Sequence, residues 1–295
     1  MSKTNHTINH NTNAGRVFDV FNLILLGAVG VLAMLPFVFI IAGSLATEEE
    51  LTRRSFFLWP ETLSLESYAA IFSTPTFVRS LAVTIGVTVV GTLIQLAVTV
   101  CMAYPLAKRG LPGRNIIISL IIFTMVFSAG MIPTFLLVKD LGLLNTWWAL
   151  ILPAAVNPFS LIIIKNFFQE LPIELEESAK IDGATELRIL WSILLPLSKP
   201  VLATFALFYA VGIWNDFMSP LLYLSDSSMW TLQMFLRQVT VAANVAVDNP
   251  DPNYIAPAQG IKFAVVVVAT IPILLFYPFL QKHFAKGILI GSVKG

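Results

Sequence analysis

Residues 171–200 read LPIELEESAKIDGATELRILWSILLPLSKP. Pro172 suits the first turn of a helix, where its missing N–H has no partner to lose, and Glu174, Glu176 and Glu177 fall near the positive end of the helix dipole. Gly183 stands where that helix must stop, so the spacing predicts a short helix over about 172–182. Thr185 is the candidate cap of a second helix, although Arg188 occupies the place where a full capping box carries Glu or Gln. The second helix puts Leu187, Leu190 and Leu194 on one approximate face, with Ile189 and Ile193 nearby, before Pro196 and Pro200 redirect the chain. Helix, turn and amphipathic helix make either a rigid transmitter of movement or an interfacial hairpin that merely joins its neighbours.

What flanks this elbow is strongly apolar. Of the 295 residues 57% are hydrophobic and 12% charged, against roughly a quarter charged in soluble domains. Mean hydropathy is +0.81. Such a chain cannot cover a water-facing surface, which makes it an all-α integral membrane protein. A spanning helix needs roughly 20 mainly apolar residues. Segments that meet this condition lie at about 20–45, 80–103, 115–137, 147–168, 200–224 and 261–281. Arg16 and the weak cleavage-like Ser44-Leu45-Ala46 invite a signal-peptide reading of the first, but its apolar run is longer than a signal core and is kept as a span. Pro36, Pro133, Pro153, Pro220 and Pro272 fall inside five of the six, which a membrane bundle tolerates.

Six spans put both termini on one side. With that side cytoplasmic, 12 of the 18 Lys and Arg lie inside or at its interface and 6 outside, the expected bias. The expected organisation is an N-terminal cytoplasmic segment, 1–19, a six-helix domain, 20–284, with 169–199 as an internal loop, and a cytoplasmic tail, 285–295. The outer connections then include 46–79 and 225–260.

Glu177-Ser178-Ala179, then Asp182-Gly183-Ala184, Ile193, Leu195-Pro196 and Pro200, resembles the EAA loop of binding-protein-dependent ATP-binding-cassette (ABC) importer permeases. The string EESAKIDGA and the six-span layout are most similar to the carbohydrate-uptake subgroup, especially its polysaccharide and oligosaccharide members. The resemblance implies a six-transmembrane-helix type I ABC importer permease (MetI-like) fold in a bacterial inner, or cytoplasmic, membrane. It also implies a related second permease subunit, two cytoplasmic ATPase subunits, an external solute-binding protein and an oligosaccharide cargo. ATP and Mg2+ would belong to the ATPase subunits, with no cofactor on this chain. Glu177, Ser178, Ala179, Asp182 and Gly183 would form the coupling helix, with Glu177 making a polar docking contact and Gly183 permitting a tight turn or close approach. Ser178 departs from the nominal Glu-Ala-Ala triplet but is small enough for a close helix contact.

Within the second span Thr84, Thr88, Thr92, Gln95 and Thr99 recur on one helical face. That stripe either lines a water-filled route for a hydroxyl-rich solute or bonds its own and a neighbouring helix. Asn157, Tyr209, Trp214, Asn215 and Asp216 add candidate sugar contacts, because amides and carboxylates bond hydroxyls and aromatic rings pack on pyranose faces. Asp216 reads equally as a solvated carboxylate at a broken helix end. The Trp214-Asn215-Asp216-Phe217 stretch also resembles a fifth-span segment near the external opening of these permeases.

Other classes fit less well. His6 and His10 lie in a polar leader and His283 after the last span, an order unsuited to a metal centre, and Cys101 has no cysteine partner. No nucleophile elbow or complete phosphate loop is present, so the chain reads as a permease rather than an enzyme. A net charge of +1 offers no face to nucleic acid. An ion-coupled secondary carrier or a non-transporting scaffold is the alternative. The first wants midspan charges, which are sparse, and the second needs neither stripe nor elbow.

Overall fold

The computed structural model describes residues 13–248 and 259–291, with side chains over 15–242 and 259–275. Most of the expected 1–19 segment with His6 and His10, the side chain of His283 and the last residues of the 285–295 tail lie outside that description.

Helices are the regular structure of the described residues, as a lipid environment requires of a chain that cannot leave backbone groups unpaired. Helix α1 (Asn13–Ser44) runs through Pro36 and shows an apolar surface with no residue of its best 18-residue window buried. Short helices α2 (Glu48–Arg53) and α3 (Glu66–Ser73) lead to α4 (Pro75–Ala107), the second helix long and apolar enough to cross a membrane unbroken.

The third expected span is a bent pair. α5 (Arg114–Val126) and α6 (Met131–Asp140) meet at 115°. Gly130, at φ 88°, makes the corner, and Pro133 is accommodated in the first turn of α6, where its N–H is not needed. The fourth is interrupted likewise: α7 (Trp148–Ile151) stops before Pro153, and α8 (Pro158–Glu170) restarts with Pro158 at its first position and the Asn157 side chain as cap.

The elbow follows as α9 (Ile173–Ile181), α10 (Glu186–Ile189), a π-helical turn at Leu190–Leu194 and α11 (Leu195–Leu197). An 83° bend then opens α12 (Lys199–Asn215), followed by α13 (Met218–Tyr223). The expected outer connection at 225–260 is not a plain loop. It contains α14 (Leu232–Asp248), which packs on α4 and on α15 (Gln259–Gly291). Its amphipathic period was readable, but outside the hydropathic spans nothing in the sequence pairs it with a neighbour. The final helix also continues to Gly291, past the expected boundary at 284.

α4 is the central element, packed against α12 on one side and α8 on another. Gly91 lies at the first contact: a Cβ there would stand 2.8 Å from the Ile213 Cδ1, so a larger residue requires the tip of that side chain to shift. At the elbow end, Val100, Ala103 and Tyr104 of α4 share a buried cluster with Leu161, Ile164 and Phe168 of α8, and Phe205 and Tyr209 of α12. At the other end, Glu48 caps the last helix by accepting from Gln259 N at 3.0 Å.

Candidate functional site

Two regions gather the residues singled out by sequence. The first is a cavity of about 440 Å³ between α4, α8, α12 and α13, lined by Gln95, Asn157, Tyr209, Asn215 and Asp216 together with Gly212 and Thr231.

Its polar groups come from helix breaks. The Asn157 Oδ1 accepts from Ser160 N at 2.9 Å and caps α8. The Asn215 Nδ2 donates to the Val211 carbonyl at 2.9 Å, in the last turn of α12. The Asp216 Oδ1 accepts from Met218 N at 3.0 Å and Ser219 N at 3.1 Å, holding the start of α13. Each side chain uses one polar atom on backbone and retains a second: an Nδ2 donor on Asn157, an Oδ1 acceptor on Asn215 and an Oδ2 acceptor on Asp216. A wall carrying mixed donors and acceptors beside Val87, Leu150 and Phe208 has the chemistry to meet hydroxyl groups and apolar ring faces together.

Of the stripe in α4, Gln95 lines this cavity. Thr84 does something else. Its hydroxyl donates to the Ser80 carbonyl at 2.8 Å and accepts from Leu232 N at 2.7 Å, fastening the segment that enters α14. Thr99 is also fully buried, bonding the Gln95 carbonyl at 2.7 Å and the Tyr209 hydroxyl at 2.9 Å. The Thr88 and Thr92 hydroxyls are buried and do not line the cavity. Trp214 points elsewhere too: its Nε1 donates to the Ala269 carbonyl at 3.0 Å and its ring packs among Ile71, Phe77, Val265 and Ala269. Consecutive residues on α12 diverge by about 100°, which sends Trp214 to the last helix and Asn215 to the cavity.

The second region is the elbow. Gly183, at φ 77°, ends α9 by donating to the Lys180 carbonyl at 3.0 Å while Ala184 N reaches the Ala179 carbonyl at 2.9 Å. This is a complete Schellman closure, which selects glycine at that position. Thr185 caps α10 by accepting from Arg188 N at 3.4 Å. Ala179 packs against the buried cluster, whereas Glu177, Ser178, Asp182 and Gly183 are exposed. The apolar face differs from the expected one: Ile189, Leu190 and Leu194 are buried, but Leu187 is 69% exposed. The π turn widens the helix between Leu190 and Leu194, and Leu187, like Ile181, is exposed.

Sequence reasoning overlooked a set of charged groups behind the elbow. Lys108, at the end of α4, pairs with Glu176 and lies 3.5 Å from Glu186, which Lys180 also meets at 2.7 Å. Tyr104 hydrogen-bonds Glu186, and the Lys108 ammonium sits 4.4 Å from the Tyr104 ring centre. Hydrogen bonds from Lys180 and then Tyr104 hold the Glu186 carboxyl down to about 2. The one readable signal was basic Lys108 at a helix end, opposite an acidic elbow.

A polar cavity inside an apolar bundle, joined to an amphipathic elbow that offers exposed groups, defines a helical membrane transport component. The chain belongs to the binding-protein-dependent transport system inner membrane component family, which matches residues 20–290. It is 65% identical to protein LplC of Bacillus subtilis over 98% of this chain and 99% of that protein. It is 51% identical to the polygalacturonan/rhamnogalacturonan transport system permease protein YtcP of the same organism, over 95% and 99% respectively. Among solved structures, a bacterial ABC transporter involved in the import of the acidic polysaccharide alginate contains a chain that is 32% identical, with a TM-score of 0.85 over 92% of this chain and 98% of that one.

Proposed function

We propose that this permease imports an oligosaccharide, with the cavity between α4, α8, α12 and α13 as its part of the translocation route. The carrying observation is the wall of Gln95, Asn157, Asn215 and Asp216, whose uncommitted polar atoms suit a hydroxyl-rich solute. Relatives that transport polygalacturonan, rhamnogalacturonan and alginate support a saccharide cargo. Tyr209 and Gln95 form the inner end of this wall and meet the solute. Trp214 holds α12 to the last helix, and the buried Thr88 and Thr92 hydroxyls lie on the same face of α4 as Gln95.

The exposed residues Glu177 and Ser178 of α9 and its cap Asp182, together with exposed Ile181 and Leu187, dock in a cleft of a cytoplasmic ATPase subunit. Ala179 and Gly183 shape that helix for the docking: one seats it on the bundle and the other lets the chain turn sharply behind it. The elbow and both termini then lie in the cytoplasm, and the opposite end of the cavity faces an external solute-binding protein. A related second permease subunit completes the route against the apolar surfaces of α1 and α5. ATP and Mg2+ act at the ATPase subunits. Their closure and reopening stabilise the outward and inward forms of the bundle differently, and this difference drives alternating access.

The test is uptake by proteoliposomes containing the native complex, supplied inside with ATP and outside with the binding protein and a panel of neutral and uronic oligosaccharides. Uptake that requires ATP and the binding protein is expected. Uptake by this chain alone, or with an ion gradient in place of ATP, would support a secondary carrier instead.

A further inference from the structure

The elbow is tied to the second span by a compact charge cluster, and the pattern of its members is informative. Lys108 follows the last turn of α4, where a cation is favoured by the exposed carbonyls, while Glu176 and Glu186 stand in the first turns of α9 and α10, where carboxylates are favoured. One ammonium therefore answers two helix starts on either side of the Gly183 turn. Lys180 closes the same turn by bonding Glu186 at 2.7 Å. Tyr104, one turn before Lys108 on α4, adds a hydrogen bond to Glu186 and its ring face to the ammonium.

The Lys108 and Glu176 side chains are only 27% and 19% exposed, so the pair is shielded more than an ordinary surface ion pair. Neighbouring Glu177 is exposed. Adjacent carboxylates on α9 thus face different ways: Glu176 toward α4, Glu177 outward.

We infer that Tyr104, Lys108, Glu176 and Glu186 form a clamp that makes the elbow and the second span move as one body, so that force applied to α9 is delivered along α4 to Gln95. The distance suits this role, since α4 runs on through Pro105 to Ala107 and so carries a displacement about 20 Å from its Lys108 cap to the cavity wall. The buried packing of Ile189 and Leu190 against α4 and α8 keeps the elbow seated, and the clamp adds direction because it grips both elbow helices at their starts. Tyr104 and Lys108 are positioning residues: neither lines the cavity, and they act through the helix that does.

The inference rests on the elbow being the docking point of the ATPase subunits, and the experiment separates the two ideas. The whole complex, with its ATPase subunits and binding protein, is reconstituted for the wild type, Lys108→Met, Tyr104→Phe and Lys108→Arg. Two quantities are read: ATPase subunits retained through purification, and moles of saccharide taken up per mole of ATP hydrolysed, using whichever panel oligosaccharide the wild type imports. Lys108→Met is expected to retain its ATPase subunits and continue hydrolysis while uptake per ATP falls at least about five-fold. Tyr104→Phe gives a smaller fall, and Lys108→Arg keeps most of the wild-type ratio, because it keeps the cation that Glu176 and Glu186 share. An unchanged ratio in Lys108→Met overturns the clamp and leaves docking intact. An equal loss in Lys108→Arg also overturns it, since the role is then packing. Loss of ATPase subunits from Lys108→Met places Lys108 in docking and again removes the clamp, whereas a wild-type chain that retains no ATPase subunits removes the docking reading itself.

Discussion

The Tyr209 hydroxyl donates to the Thr99 hydroxyl across 2.9 Å of buried interface between α12 and α4, because the single Thr99 proton is committed to the Gln95 carbonyl at 2.7 Å. Gln95 contributes its carbonyl to that chain of bonds and its side chain to the cavity. Tyr209→Phe removes one buried hydrogen bond and should lower stability by about 1 kcal/mol. Thermal unfolding of the purified complex checks the loss, with Thr99→Val expected to cost more because it also gives up the bond to the Gln95 carbonyl, and the double variant to add little beyond Thr99→Val.

Gln95→Leu keeps the approximate volume and removes the amide. Half-saturation of saccharide uptake should move upward several-fold while ATP hydrolysis without substrate stays near the wild-type rate. Transport at unaltered affinity would remove Gln95 from the route.

Trp214 supplies the contrast. Trp214→Phe breaks the bond to the Ala269 carbonyl and leaves a small void, costing about 1–3 kcal/mol. Because the ring packs on the last helix rather than in the cavity, the ranking of saccharides should be unchanged in an uptake panel.

Gly183→Ala places a Cβ in the left-handed region at φ 77°, which costs roughly 1–2 kcal/mol. Retention of ATPase subunits should fall, and Gly183→Asn should recover part of it because asparagine tolerates that conformation better.

The Glu186 carboxyl is held at about 2 against an ordinary 4.5, so its contribution is fully present above about 4.5 and is lost only as pH falls through the lower value. Protection of the elbow from limited proteolysis should therefore persist as pH drops from neutral to about 5. Glu186→Gln should weaken that protection throughout this range, with the same proteolysis as the measurement.

The elbow was legible to within a residue at most points, since Pro172, Gly183 and Thr185 act on their own neighbours and fix α9, its closure and the cap of α10 locally. The breaks in the third and fourth spans were less so. Pro133 and Pro153 announce interruption, but a hydropathy window averages across a bend, so a pair at 115° reads as one segment. The stripe in α4 shows the other limit. A helical period states which residues share a face, and not whether a neighbouring helix or a cavity lies opposite. Thr84 and Thr99 met partners from α14 and α12, while Gln95 met the cavity.

By itself the sequence determined that this chain lives in a membrane as helices and carries a capped helix-turn-helix elbow, because hydropathy and capping act over one or two turns. Tertiary structure alone decided that Lys108 meets Glu176, 68 residues away, that Trp214 turns from the cavity, and that Asn157, Asn215 and Asp216 surround one space. Those outcomes depend on how distant helices pack, and helix packing is set by shape and by shared buried partners that no local pattern contains.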